Sequence, residues 1–463
     1  MKKQIIATLT ACLSLAGLSS CGTQETEVLF DGSNLDRWEI TGKAKVQSNV
    51  LQLAGPQTRL LLKDGDYTDF ELHLQARTVD GGKGSVAFHT DASGKGYAVA
   101  LDNDRQSPAW WRKTGSLLSV RNVVKSPAKD GEWFDLTIRV LGKCVVVKVD
   151  NDTLVEYIEP EKPFRLPAHE QELLSHGTLA LVASEGFVEF RDITLRRLEC
   201  SKDERARQRA EAQDEQADEI IRLHQQDFPV LDYHVHLKGG FTKEAAARQS
   251  RRLGINYAIA PNCGIGFPIT SDEGVYNFLD SMRTQPFVLA MQGEGREWST
   301  TFSKEAREQF DYVFTDALTF TDRKGRRVRL WIAPEVVIDD NDQEAYMDLI
   351  VEKTCDVLQE PADIFVNPFF LPECMNDRYE QFWTDARVDK VIRELVKNGK
   401  ALEINELYRI PSRRIIQKAK EAGVKFTFGS NNVSPEVGKL EYALQMKKAC
   451  GITAEEMYVP RIK

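Results

Sequence analysis

Between residues 200 and 230 the hydrophobic pattern of this chain changes period, and that break dictates a multidomain protein with two different architectures. Upstream, across 28–200, short alternating apolar runs fall at 50–53, 70–76, 85–89, 97–101, 133–140, 143–149, 178–182 and 186–195. A period of two puts one face of each run in a core. Turn pairs such as Asp64-Gly65, Gly81-Gly82, Asp130-Gly131 and Asn151-Asp152 separate the runs. Many short strands at this spacing predict an all-β antiparallel sandwich. Downstream, across 228–463, strands at 230–236, 256–260, 287–292, 312–315, 329–332, 364–366, 401–404 and 425–428 alternate with helical stretches. Repeated βα units predict a parallel sheet that closes into an α/β barrel of the TIM type. The join, 201–227, has no Gly or Pro, and Ala210, Ala217, Ile220, Ile221 and Leu223 are its only apolar stripe. Its strong helix formers predict a charged, exposed helical linker that docks only its last turns.

The 463 residues leave room for both cores, and 42% hydrophobic with 28% charged residues is ordinary for a globular chain. A net charge of −9 argues against nucleic acid as a partner. The densest basic run, Arg323 to Arg329, reads as a solvated turn between two strands. At the N-terminus, Lys2-Lys3 precedes an apolar stretch at 5–18 that is too short for a permanent span. It ends in Leu18-Ser19-Ser20-Cys21, which resembles the lipobox of bacterial lipoproteins. That resemblance implies a signal peptide at 1–20, a lipid on Cys21, and a protein anchored to a membrane of the bacterial cell envelope outside the cytoplasm. The remaining cysteines show no Cys-x-x-Cys spacing, which argues against a zinc knuckle or a thioredoxin-like site.

Within 28–200, the run from Leu29 to Trp38 (Leu-Phe-Asp-Gly-Ser-Asn-Leu-Asp-Arg-Trp) resembles the opening of the 3-keto-disaccharide hydrolase family. Gly131-Glu132-Trp133-Phe134, Val149-Asp150-Asn151 and Phe190-Arg191-Asp192-Ile193 stand where that family has further motifs. The resemblance implies a concanavalin-like jelly roll and work on oxidised sugars or glycans. Trp111 and Arg112 sit in a loop-like stretch, where an indole can stack on a sugar and a guanidinium can bond its hydroxyls. Closure of the sandwich edge is the competing reading for the two, and His89 reads as a satisfied edge histidine.

In the second domain, Asp232-Tyr233-His234-Val235-His236 puts two imidazoles on one strand face, at the C-terminal end of the first barrel strand. Polar residues end the later strands: Asn262, Gln292 with Glu294, Asp316, Asn367, Glu403 with Asn405, and Asn431 with Asn432. This pattern predicts one divalent metal on His234, His236 and a carboxylate from Glu294, Glu403 or Asp316. The alternative is a metal-free polar pocket in which Asn262, Asn367, Asn405, Asn431 and Asn432 bind sugar hydroxyls. The first motif, with Ala401-Leu402-Glu403-Ile404-Asn405 and the run from Lys425 to Asn432, resembles the PHP (polymerase and histidinol phosphatase) family. That family usually closes with Gly-Ser-Asp-Ala-His, whereas this chain reads Gly429-Ser430-Asn431-Asn432-Val433. Together the two resemblances lead to an exported lipoprotein hydrolase or lyase acting on glycosides, 3-keto sugars among them. Glu294 or Glu403 would be the base and Lys238 would stabilise an enolate, with a plain surface lysine as the competing reading for Lys238. The second reading is a glycan-binding lipoprotein with a degenerate PHP-like barrel.

Overall fold

The computed structural model describes residues 26–463; the signal peptide expected at 1–20 and the lipidation expected at Cys21 lie outside them. Nine strands build the first domain: β1 (Thr26–Phe30), β2 (Trp38–Gln47), β3 (Val50–Leu62), β4 (Phe70–Thr90), β5 (Tyr97–Asp102), β6 (Phe134–Leu141), β7 (Cys144–Val149), β8 (Asp152–Ile158) and β9 (Thr178–Arg197). All pair antiparallel, in the order β2-β3-β9-β4-β6-β7-β8, with β1 on β9 and β5 on β4. Leu72, Leu74 and Ala76 point into the core, as the alternation predicts.

Four of the expected short strands are halves of two long ones. β4 and β9 run 21 and 20 residues, pairing along most of their length. Gly81-Gly82, read from the sequence as a turn, is instead a bulge inside β4, with register shifts between Val79 and Lys83. Asp80 and Gly81 take φ of 52° and 71°, and a Cβ on Gly82 would stand 2.0 Å from the Phe187 carbonyl oxygen. The glycines bend the strand where a turn would end it. Gly82→Ala should therefore strain this crossing by about 1–3 kcal/mol, seen as a lower thermal midpoint; an unchanged midpoint would contradict the bend as described. β2 escaped the sequence reading because, apart from Trp38, it is an edge strand with almost no buried face.

The join is two helices, α1 (Lys202–Glu211) and α2 (Glu219–Gln225), capped by Ser201 and Asp218. It is mostly exposed up to Ala217, as expected, but two of its polar side chains are anchored before the last turns. Gln208 is buried against Leu141 O and Lys143 N, and Glu215 is buried against Arg165 (3.0 Å) and the Tyr157 hydroxyl (2.7 Å). Those partners lie far back in the chain, so local composition could not reveal them. The last turns do dock: Ile221 joins the sandwich core, while Ile220 and Leu223 join the barrel core.

The second domain begins with β10 (Leu231–Val235), α3 (Lys243–Leu253), β11 (Asn256–Ile259), its short continuation β12 (Asn262–Cys263), α4 (Asp272–Met282), β13 (Val288–Gly293) and β14 (Tyr312–Thr315). After a hairpin of β15 (Thr319–Thr321) and β16 (Arg327–Arg329) come β17 (Ile364–Phe365), β18 (Ala401–Asn405) and β19 (Phe426–Gly429). The closed parallel barrel has seven strands, in the order β10-β11-β13-β14-β17-β18-β19, and β19 pairs back to β10. One of the eight expected strands, 329–332, is no barrel strand: β16 belongs to the antiparallel hairpin. The basic run turns the hairpin, held by Arg326 on Asp322 and Asp339. Barrel strands are buried on both faces, which explains their continuous apolar runs.

Candidate active site at the barrel mouth

Strand C-termini bring His234, His236, Asn262, Gln292, Glu294, Asp316, Asn367, Glu403, Asn405, Asn431 and Asn432 together, each no more than 8% exposed. The two imidazoles meet Nε2 to Nε2 at 3.1 Å. His234 Nδ1 lies 2.6 Å from Glu403 Oε1, and His236 Nδ1 lies 2.7 Å from the Ala260 carbonyl oxygen. Acceptors at both Nδ1 atoms assign the protons there. Both Nε2 lone pairs then converge, at a separation that two bonds of ~2.1 Å to one ion would span. A carboxylate and a carbonyl behind metal-binding histidines is the usual supporting arrangement. The Phe314 ring, 4.5 Å from the His234 ring, dries that side. Burial, reinforced by His234, pushes the His236 pKa well below its ordinary value.

Glu403 is not placed to act as a base. Its Oε1 takes His234, while Oε2 accepts from the Asn367 backbone N–H (2.7 Å) and Asn405 Nδ2 (2.9 Å). Asp316 is similarly engaged, by Leu318 N–H and by Asn367 Nδ2 at 3.0 Å. Among the described residues no three His, Cys, Asp or Glu side chains gather as a metal cluster. The expected carboxylates, Glu294, Glu403 and Asp316, thus form no such cluster with the two histidines.

Glu294 is the available carboxylate. Its Oε1 accepts from Asn262 Nδ2 at 2.6 Å, while the buried Oε2 has no partner. Burial first, then the Asp316 charge, pushes its pKa up to about 8. Lys238 is half-buried and feels the charges of Glu294 and Asp316, which oppose the downward push of burial.

The asparagines form one network. Asn367 Oδ1 accepts from Asn405 Nδ2 (2.9 Å) and Asn431 Nδ2 (2.8 Å), and Asn432 Nδ2 donates to the His236 carbonyl oxygen (2.8 Å). Asn367 and Asn431 have φ of 48° and 49°. Asparagine tolerates that left-handed conformation better than most side chains, which is a backbone reason for it here.

Sequence reasoning missed Arg296, whose guanidinium bridges Glu360 and the Asp316 carbonyl oxygen, and Tyr408 in the loop after β18. The Tyr408 N–H donates to Asn405 Oδ1, and burial beside Asp316, Glu403 and Glu294 pushes its phenol up to about 12. Position just past a strand C-terminus was the available signal for both.

Trp111 and Arg112 stand elsewhere, at the contact between the domains. Arg112 pairs with Asp227 at 2.9 Å, and Trp111 packs on the barrel core with its buried indole N–H unpaired. His89 is satisfied, bonded to Thr68 O and Ser175 N. On the sandwich face, Trp133 lies between the guanidiniums of Arg77 and Arg191, at 4.7 and 4.3 Å.

The molecule is thus an antiparallel β-sandwich joined to a closed parallel barrel with a buried polar site at its mouth. Residues 25–196 match the model of the 3-keto-alpha-glucoside-1,2-lyase-like domain family. Among solved structures, two proteins of Parabacteroides distasonis provisionally assigned as glycosyl hydrolases are similar to it. One is 17% identical, covering 37% of this chain and 94% of its own, with a TM-score of 0.33. The other is 20% identical, covering 38% and 100%, with a TM-score of 0.32. Carbohydrate-binding module CBM66 from Bacillus subtilis is 14% identical over 35% of this chain and 95% of its own, with a TM-score of 0.26. No curated protein matches the chain.

Proposed function

We propose that this chain is a glycoside lyase or hydrolase, 3-keto sugars among its substrates, whose chemistry occurs at the barrel mouth. A lipid on Cys21 would hold it to a membrane of the bacterial envelope, outside the cytoplasm. The match of residues 25–196 supports the sugar class. The observation that carries the barrel reading is the pair of Nε2 atoms at 3.1 Å, each ring fixed from behind through Nδ1. A divalent ion held by His234 and His236 would polarise a ketone as a Lewis acid.

The chain's own residues do the rest. A ketone at C3 acidifies the C2 proton, and Glu294 Oε2, buried and unpartnered, takes it. Asn262 holds the other Glu294 oxygen and so fixes the carboxylate. The C1 substituent leaves with the electrons of its bond, and water adds to the resulting alkene in the hydrolase outcome. Glu403 positions His234 without touching substrate.

Metal analysis of wild type beside His234→Ala/His236→Ala tests this reading. About one equivalent of transition metal, lost in the double variant, is expected. A wild type that is metal-free and rebinds none on incubation would sink the Lewis-acid step. It would favour the second reading, a glycan-binding lipoprotein with a degenerate barrel.

A further inference from the structure

Beside the histidines a cleft of about 460 Å³ opens between β10, β11, α3 and α4. At its inner end stand His236, Lys238 and Asn262; Pro261, Ile269 and Phe278 are among its apolar walls. Such a volume and composition suit part of a small organic ligand fixed by a few polar groups. A second sugar ring would lose most of its hydroxyl bonds to water against these walls and find few replacements, which is costly. An aromatic or aliphatic group loses nothing there and gains the burial of its own surface.

We infer that this cleft receives the apolar aglycone of a glycoside, an inference that rests on the glycoside reading above.

Calorimetry on the full chain with phenyl glucoside and methyl glucoside tests the cleft without requiring turnover. The phenyl compound should bind at least tenfold more tightly, and Phe278→Ser should erase most of that preference. Phenol should compete with phenyl glucoside on the wild type, which keeps the test valid should the variant fail to fold. Equal binding of the two glucosides, or no competition by phenol, overturns the aglycone cleft even if glycosides are cleaved. A phenyl preference in a protein that cleaves no glycoside upholds the cleft and removes the enzymatic reading.

Discussion

Glu294→Gln should reduce turnover of a 3-keto glycoside by about 10²–10⁴, the usual contribution of a positioned base, while leaving the protein folded. Glutamine keeps the size of the side chain and can keep the acceptor that Asn262 Nδ2 bonds, so the loss isolates the chemistry of the free oxygen. Only the ionised carboxylate can take a proton. With a pKa pushed up to about 8, wild-type turnover should climb as pH rises through that value, and the residual activity of the variant should lack that limb. Stability moves the opposite way. Between the ordinary carboxyl pKa of 4.5 and about 8 the folded state holds a proton that the unfolded chain releases. More protons bound in the native state means that stability falls as pH rises through this window. Thermal melts at pH 5 and pH 8.5 should show a smaller drop for Glu294→Gln than for wild type. Unaltered turnover in the variant would exclude Glu294 as the base.

Glu403→Ala should be the most destabilising single change at the site, by about 3–5 kcal/mol. The side chain is fully buried and accepts from three donors on three segments: His234 Nδ1, the Asn367 backbone N–H and Asn405 Nδ2. Truncation leaves the first two without a partner in a place water does not reach, and it frees the His234 ring to turn. A urea midpoint close to wild type would contradict the role given to Glu403 here. Glu403→Gln should recover part of the loss, because one amide oxygen can still accept. Its NH₂, facing either the Asn367 N–H or His234, opposes a donor to a donor.

Much of the second domain was legible because barrel strands are buried on both faces and helices punctuate them. His234, His236 and the strand-end Asn, Glu and Asp residues could be placed at one mouth from periodicity alone. Their division of labour could not. That Glu403 is spent behind His234 while Glu294 keeps a free oxygen depends on the Asn367 and Asn262 amides, which lie in other βα units. The strand expected at 329–332 failed for a local reason: an ion-paired turn at Asp322 and Arg326 closes a hairpin. Glycine was the other source of error, since Gly81-Gly82 looks the same in a sequence whether it ends a strand or kinks it. Trp111 and Arg112 show the limit of reading exposed-looking loops, because a neighbouring domain can cover them.

The placement of α2 and Glu215 bears on where this chain can be divided. A boundary drawn at the last sandwich strand would strip Arg165 of its closest carboxylate, Glu215 at 3.0 Å, and remove Ile221 from the core. A guanidinium that is 4% exposed would be left with Glu159 at 3.7 Å as its remaining counter-ion. A sandwich that keeps these contacts must include α2, and the same helix also carries Ile220 and Leu223 of the barrel core. The two halves share a keystone, so recombination or engineering that exchanges either one must carry 201–225 with it and rebuild the face left behind.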